Sequence, residues 1–264
     1  MYTFSIARPS SLAEAQSALG AGGDVSALAG GQTLIPTLKF RLANPDGLVD
    51  LGGIAELRGI TVTADAVTIG AMTRHSEVAA SAEVAAAIPA LAYLAGCIGD
   101  PAVRNRGTIG GSVANNDPAA DYPAACLGLG ATIHTTTRAI AADDFFQGMF
   151  ETALNEGEII TSVSFPRPSA AGYGRFSHPA SRYAMVAVMV AQTAGGVRVA
   201  VTGAGPGVFR VPEMEAALAG NWSADALAGI AVPADGLNDD MHGSASYRAH
   251  LVSIMAEDAV RSAA

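Results

Sequence analysis

The spacing of apolar and polar positions divides the 264-residue chain into three stretches. Residues 1–57 alternate short elements. Ser11 followed by Glu14 has the pattern of a capping box that opens a helix ending at Gly20, and Val25 to Leu28 reads as a strand running into Gly30 and Gly31. A second helix is predicted from about Thr33, with Leu34, Ile35, Leu38 and Leu42 on one face. Pro36 is tolerated in its first turn, where an N–H would be unpaired anyway. Leu48 to Leu51 is the next strand. This alternation implies a small α/β unit with a Gly pair at a strand-to-helix turn.

From Gly59 the period changes. Ile60 to Val62 and Val67 to Ile69 pair about Ala64 and Asp65, and an Ala-rich helical stretch from Ser76 to Gly96 leads towards T-I-G-G-S-V-A-N-N-D-P-A-A-D at Thr108 to Asp121. Further on, the pattern predicts a helical segment at Pro123 to Leu127, a strand at Thr132 to Thr136, a short helix at Asp143 to Gln147 and a strand at Ile159 to Phe165. Residues 58–168 therefore form a mixed α+β unit whose Gly-rich loops face the first. Pro166-Arg167-Pro168, followed by small residues, interrupts both periods and marks a boundary. In residues 169–264, Tyr173 to Ser177, Ala184 to Gln192 and Val197 to Val201 read as strands, the last two joined at Ala194-Gly195-Gly196. Helices follow near Pro212 to Ala219 and Ser244 to Ser262.

Composition narrows the function classes. Half of the residues are apolar, enough for a real core, and a formal charge of -9 with no basic block argues against nucleic acid as a partner. The longest apolar run, Ala184 to Ala191, is far short of the roughly 20 residues that span a bilayer. No basic region followed by an apolar one opens the chain, so a soluble, cytoplasmic protein is expected. Cys97 and Cys126 are far apart and form no CxxC, which indicates neither a disulfide framework nor an iron–sulfur or zinc site. His75, His134, His178, His242 and His250 lack metal-ligand spacing, Asp143-Asp144 and Asp239-Asp240 look like helix starts, and Gly203 to Gly207 reads as a loop.

The candidate chemistry lies in two Gly pairs, L-A-G-G-Q-T at Leu28 to Thr33 and T-I-G-G-S at Thr108 to Ser112. Each sits between strand and helix signals and is followed by a hydroxyl, Thr33 or Ser112, without the Asn-Gly or Asp-Gly chemistry of a hairpin. They read as two walls of one anion site. A pyrophosphate there would accept N–H bonds from Gly30, Gly31, Gln32 and Thr33 on one side and from Gly111 and Ser112 on the other. The spacing matches neither GxGxxG nor GxxxxGK[ST], which disfavours a Rossmann site and a P-loop. Asp121 either holds sugar-type hydroxyls or caps the helix before Pro123; Asn115 and Asn116 either offer amides to a ligand or satisfy turn backbone.

With these residues in view, the chain resembles the FAD-binding medium subunits of the molybdenum hydroxylases, the family of carbon monoxide dehydrogenase and xanthine dehydrogenase, and is most similar to the carbon monoxide dehydrogenase-like branch. The matching segments are Leu28 to Pro36, Leu48 to Ile60, Ile69 to Thr73, Val103 to Asp121 and Asp240 to Leu251. The resemblance implies an α+β fold of the vanillyl-alcohol oxidase (PCMH) type. Two α/β subdomains, 1–57 and 58–168, would clasp non-covalent FAD, and 169–264 would be a C-terminal domain with a small antiparallel sheet and helices. Carried over, Ala29, Gly30, Gly31, Gln32, Thr33 and Leu34 hold the pyrophosphate, and Thr108, Gly111 and Ser112, with Asn115 beyond them, form the opposite wall. Asp121 takes a cofactor hydroxyl and Ile160 touches the flavin. Several relatives have Asn where Ser112 stands, and Arg175 falls where some relatives place a Lys near the flavin. No catalytic residue and no metal ligand is assigned. The implied role is an electron-transfer subunit of a molybdenum hydroxylase, with iron–sulfur clusters on a small partner subunit and molybdopterin on a large one, in a dimer of heterotrimers. Alone it would be inactive on the organic or CO substrate. The alternative is a stand-alone flavin oxidase or dehydrogenase of the same fold.

Overall fold

Parallel pairing organises the N-terminal stretch of the computed structural model, which describes residues 1–264. Its elements are β1 (Ser5–Ala7), α1 (Leu12–Leu19), β2 (Val25–Leu28), α2 (Leu34–Lys39) and β3 (Gly47–Asp50). The strands lie in the order β1-β3-β2 with both pairings parallel, so helical crossovers must join them, and α1 and α2 do so. Ser11 caps α1 by accepting from the Glu14 N–H at 3.3 Å, but the Glu14 carboxylate accepts from the Ser10 N–H at 2.8 Å. The second helix is shorter than its apolar spacing predicts. It ends at Lys39 in a Schellman motif: Arg41 adopts φ 59°, its N–H reaches the Leu38 carbonyl and the Leu42 N–H reaches the Thr37 carbonyl. Leu42 consequently lies outside the helix and is exposed.

The middle stretch carries β4 (Ile60–Val62), β5 (Ala66–Gly70), α3 (His75–Ala80), α4 (Ala82–Ala87), α5 (Pro89–Cys97), α6 (Pro101–Arg104), α7 (Ile109–Asn115) and α8 (Tyr122–Leu129). It continues through β6 (Thr132–Thr135), β7 (Ala139–Ala141), α9 (Ala142–Phe145), β8 (Phe146–Gly148), β9 (Glu151–Thr152) and β10 (Ile160–Pro166). An antiparallel sheet of order β4-β5-β10-β6-β7 backs these helices. The Ala-rich stretch is three helices, not one. Ser81 turns extended and caps α4 through the Val84 N–H, and Pro89, which has no N–H to pair, starts α5. Gly110 and Gly111 are likewise not in a loop: they form the first turn of α7, capped by Thr108.

The last stretch builds an antiparallel sheet from β11 (Ala170–Ser177), β12 (Ala184–Thr193), β13 (Gly196–Thr202) and β14 (Phe209–Arg210), followed by α10 (Pro212–Gly220) and α11 (Ala245–Ser262). The continuous apolar run in β12 is explained by burial on both faces. Ala187, Met189 and Ala191 join the core under α5 and α8, whereas Val186, Val188 and Val190 meet Met214 of α10 and Val252 and Met255 of α11. Helix α8 is buried along its whole length between the two sheets, which fixes Asp121 at its entrance.

Candidate functional site

Between the first two stretches runs a cleft of about 770 Å³, within the range of roughly 300–1,000 Å³ typical of ligand pockets. Every residue expected at the site lines it: Ala29 to Leu34, Thr108, Gly111, Ser112, Asn115, Asp121, Ile160 and Arg175. The two Gly pairs face each other at its neck, where a Cβ on Gly111 would lie 3.4 Å from that of Ala29.

The first wall is main chain. Strand β2 ends at Leu28 and the chain turns through Gly31, whose φ of 72° suits glycine. Gly30 presses on the neighbouring unit so closely that a Cβ would sit 2.3 Å from the Arg106 carbonyl oxygen and 2.7 Å from Gly107 Cα. Through this turn, from Gly30 to Leu34, the N–H groups find no acceptor within the chain. They form a run of unpaired main-chain donors of the kind that holds a phosphate.

The second wall differs from expectation. The Gly111 N–H donates to Thr108 Oγ1 at 3.2 Å and the Ser112 N–H to the Thr108 carbonyl at 3.0 Å, so neither is free for a pyrophosphate. Ile109 and Gly110 donate to the carbonyls of Thr73 and Ala71. The cause is the connection from β5 to α3, which lies across the start of α7 and takes its unpaired donors. What this wall offers is side-chain chemistry: the Ser112 hydroxyl and the Asn115 amide have no partner within the chain. Asn116 is structural. It takes the left-handed conformation and its amide donates to the carbonyls of Gly148 and Glu151, both at 2.8 Å.

Further along the cleft, Asp121 neither caps α8 nor stands free. Its Oδ1 accepts from the Tyr173 hydroxyl and from Arg175 Nε, each at 2.6 Å, and Oδ2 has one long contact, 3.4 Å, to the same guanidinium. Arg175 also donates to Ser177 Oγ and, at 2.8 Å, to the Arg182 carbonyl, which ties it to the Ala180–Tyr183 segment of the cleft lining. Burial opposes the Arg175 charge, and the Asp121 carboxylate more than offsets it, holding Arg175 above its ordinary range. Arg175 is therefore a paired cation rather than one directed freely at a ligand, and Asp121 retains acceptor capacity chiefly at Oδ2.

Two further residues line the cleft that neither motif contains: His75, whose spacing fits no metal site, and Tyr183. His75 is buried at the edge of the cleft beside the second wall, with its main-chain N–H donating to the Gly107 carbonyl and its Nε2 2.6 Å from where a Gly107 Cβ would stand. Its Nδ1 has no partner, nor has the hydroxyl of Tyr122, whose ring lies 5.4 Å away. Burial, and secondarily Arg104, lowers the His75 pKa to about 4, so the ring is neutral near pH 7. Nothing local in the sequence signals this, because the enclosure comes from Gly107, distant in the chain. Tyr183 lines the cleft as an exposed aromatic just before the β12 run; an aromatic beside a long apolar run was the available signal.

A cleft lined by a bare main-chain turn, apolar residues and a compensated charge pair suits a cofactor with a pyrophosphate and a redox-active ring. The chain belongs to the family described as the FAD binding domain in molybdopterin dehydrogenase, whose model matches residues 2–168. Within that class it resembles the medium subunits of the carbon monoxide dehydrogenase type. It is 37% identical over 260 residues to the nicotine 6-hydroxylase medium subunit of Paenarthrobacter nicotinovorans, covering 93% of this chain and 92% of that one. To the carbon monoxide dehydrogenase medium chain of Hydrogenophaga pseudoflava it is 33% identical over 276 residues, with 97% and 95% covered. A chain in the solved structure of reconstituted CO dehydrogenase from Oligotropha carboxidovorans superimposes with a TM-score of 0.89 at 33% identity, covering 99% of this chain and 97% of that one. The fold is thus an α+β FAD-binding fold, and the cofactor is FAD. The residues present fit it: the unpaired donors from Gly30 to Leu34 for phosphate, and the Ser112 hydroxyl, the Asn115 amide and Asp121 Oδ2 for its polar groups.

Proposed function

We propose that this chain carries electrons, as the FAD subunit of a molybdenum hydroxylase complex, from iron–sulfur centres on a small partner subunit through FAD to an external acceptor. Bound FAD supplies the redox chemistry. The protein grips the pyrophosphate with the Gly30–Leu34 N–H groups, places Ser112 and Asn115 on the opposite side, and surrounds the flavin end with Ile160, Tyr183 and the Asp121–Arg175 pair. On this reading 1–57 and 58–168 are the two halves of the clasp, 169–264 is a C-terminal domain closing one end, molybdopterin sits on a large partner, and the assembly is a cytoplasmic dimer of heterotrimers.

The observation that carries the reading is the run of unpaired N–H groups opening onto the cleft; among the lining side chains, His75 is packed against Gly107 and Arg175 is paired with Asp121. A stand-alone oxidase would need a positioned base beside its substrate. The direct test mixes the FAD-loaded chain with an iron–sulfur subunit that has been reduced with dithionite and desalted. Bleaching of the flavin absorbance is the expected result. Full substrate turnover by this chain alone, without partner subunits, would overturn the proposal.

A further inference from the structure

Asp121–Arg175 is the one salt bridge of the chain in which both side chains are buried, each 6% exposed; every other has a partner at least 32% exposed. A buried pair contributes little net stability, since desolvation offsets the attraction, so stability does not explain its placement in the wall of a cofactor cleft. Its position along the cleft is informative. Helix α7 starts at the neck, beside the phosphate turn, and its 7 residues span about 10 Å before the chain turns to Asp121. Asp121, which follows the turn after α7, and Arg175 both line the cleft, in a lining that also includes the apolar Leu154, Ile159 and Ile160.

We propose that Asp121 acts as the counter-charge of Arg175 at the flavin end of the cleft, and that the balance of this pair sets the reduction potential of the bound cofactor. The proposal rests on the FAD site described above. Reduction adds negative charge to the cofactor, so an uncompensated guanidinium in the wall favours the reduced state and an uncompensated carboxylate opposes it. Because the wall is buried, water screens either charge only weakly. Two substitutions at one ion pair should then act with opposite signs, which a purely structural role would not produce.

The experiment is a spectroelectrochemical titration of the full chain loaded with FAD. Asp121→Asn should raise the midpoint potential and Arg175→Gln should lower it, each by about tenfold in the oxidised-to-reduced equilibrium, roughly 30 mV for a two-electron couple. The double variant should return to the parent value. If the single variants fail to fold, Ser177→Asp decides the matter: Ser177 is exposed and already accepts from Arg175, so a carboxylate there adds negative charge and should lower the potential. Unchanged potentials, or shifts of the same sign for both single variants, would overturn the proposal. Failure of the parent chain to take up FAD would instead overturn the site assignment on which it stands.

Discussion

Across the neck of the cleft, the turn at Gly30–Gly31 and the helix start at Gly110–Gly111 face each other, and they treat their N–H groups in opposite ways. The turn leaves its donors from Gly30 to Leu34 unpaired, whereas each donor from Ile109 to Ser112 is taken by Thr73, Ala71 or Thr108. The glycines divide within each pair as well. All four line the cleft, but a Cβ on Gly30 or Gly110 would strike backbone of another segment, on Gly110 2.8 Å from the Ala71 carbonyl oxygen, whereas one on Gly31 or Gly111 would meet only side chains. A Gly pair therefore reports close approach, and only the neighbouring acceptors decide whether it also presents donors.

The largest effect is expected at the weld where Gly30 abuts the Arg106 backbone. Gly30→Val must push its Cβ away from the Arg106 carbonyl, which is backbone and cannot rotate aside. The expected result is loss of about 3 kcal/mol or more of stability, together with loss of FAD, measured by denaturant unfolding and by flavin content. Gly111→Ala meets only Thr108 Oγ1 at 3.0 Å and the Ala29 side chain at 3.4 Å, and gains helix propensity. Its stability should stay within about 1 kcal/mol of the parent while FAD retention falls. Equal effects at the two positions would remove the distinction between weld and opening.

Much of this layout is readable from the residues, but not the allocation of donors. β2, β5, β12 and β13 and the helices α10 and α11 follow from local periodicity; the lining residues near the two Gly pairs follow from the motifs, whereas Ile160 and Arg175 are implied only by the family resemblance. The breaks at Ser81 and Pro89 were also written in local signals, and the Ala-rich composition hid them because alanine suits every helix position alike. β1 owes its place to pairing with β3, and the β8–β9 hairpin is anchored by Asn116 from another segment. The closure of the α7 donors and the Asp121–Arg175 pair depend in the same way on partners distant in sequence: Ala71 and Thr73 in one case, β11 in the other. Periodicity carries no information about such partners.

A second test probes the ring beneath the tied wall. His75 supports Gly107, which in turn touches Gly30, and its pKa falls from 6.5 to about 4 on folding. Between those values the unfolded chain binds the extra proton and the folded chain does not, so stability must rise with pH across this window. Equivalently, the contribution is fully present above pH 6.5, declines on acidification and is lost below about pH 4. Its size is about 3 kcal/mol. Unfolding free energies from pH 4 to 7 should show this slope in the parent, and His75→Leu should flatten it by that amount; an identical slope in both would show that the ring takes up its proton without resisting.

The smallest effects separate main-chain from side-chain grip. Gln32 is exposed, and its amide makes only a 3.4 Å contact to the Gly30 carbonyl, so its contribution to the phosphate turn is its backbone N–H. Gln32→Ala keeps that N–H and should change FAD affinity by less than about twofold. Ser112 stands on the wall whose N–H groups are occupied, where the hydroxyl is the available donor. Ser112→Ala should weaken FAD binding by about 1 kcal/mol, roughly fivefold, and leave stability unchanged, because no hydrogen bond within the chain is lost. Isothermal titration of FAD into the apo chain measures both. A loss at Gln32 equal to that at Ser112 would mean that the turn grips through side chains too, and the contrast between the two walls would fail at the level of chemistry even with the geometry intact.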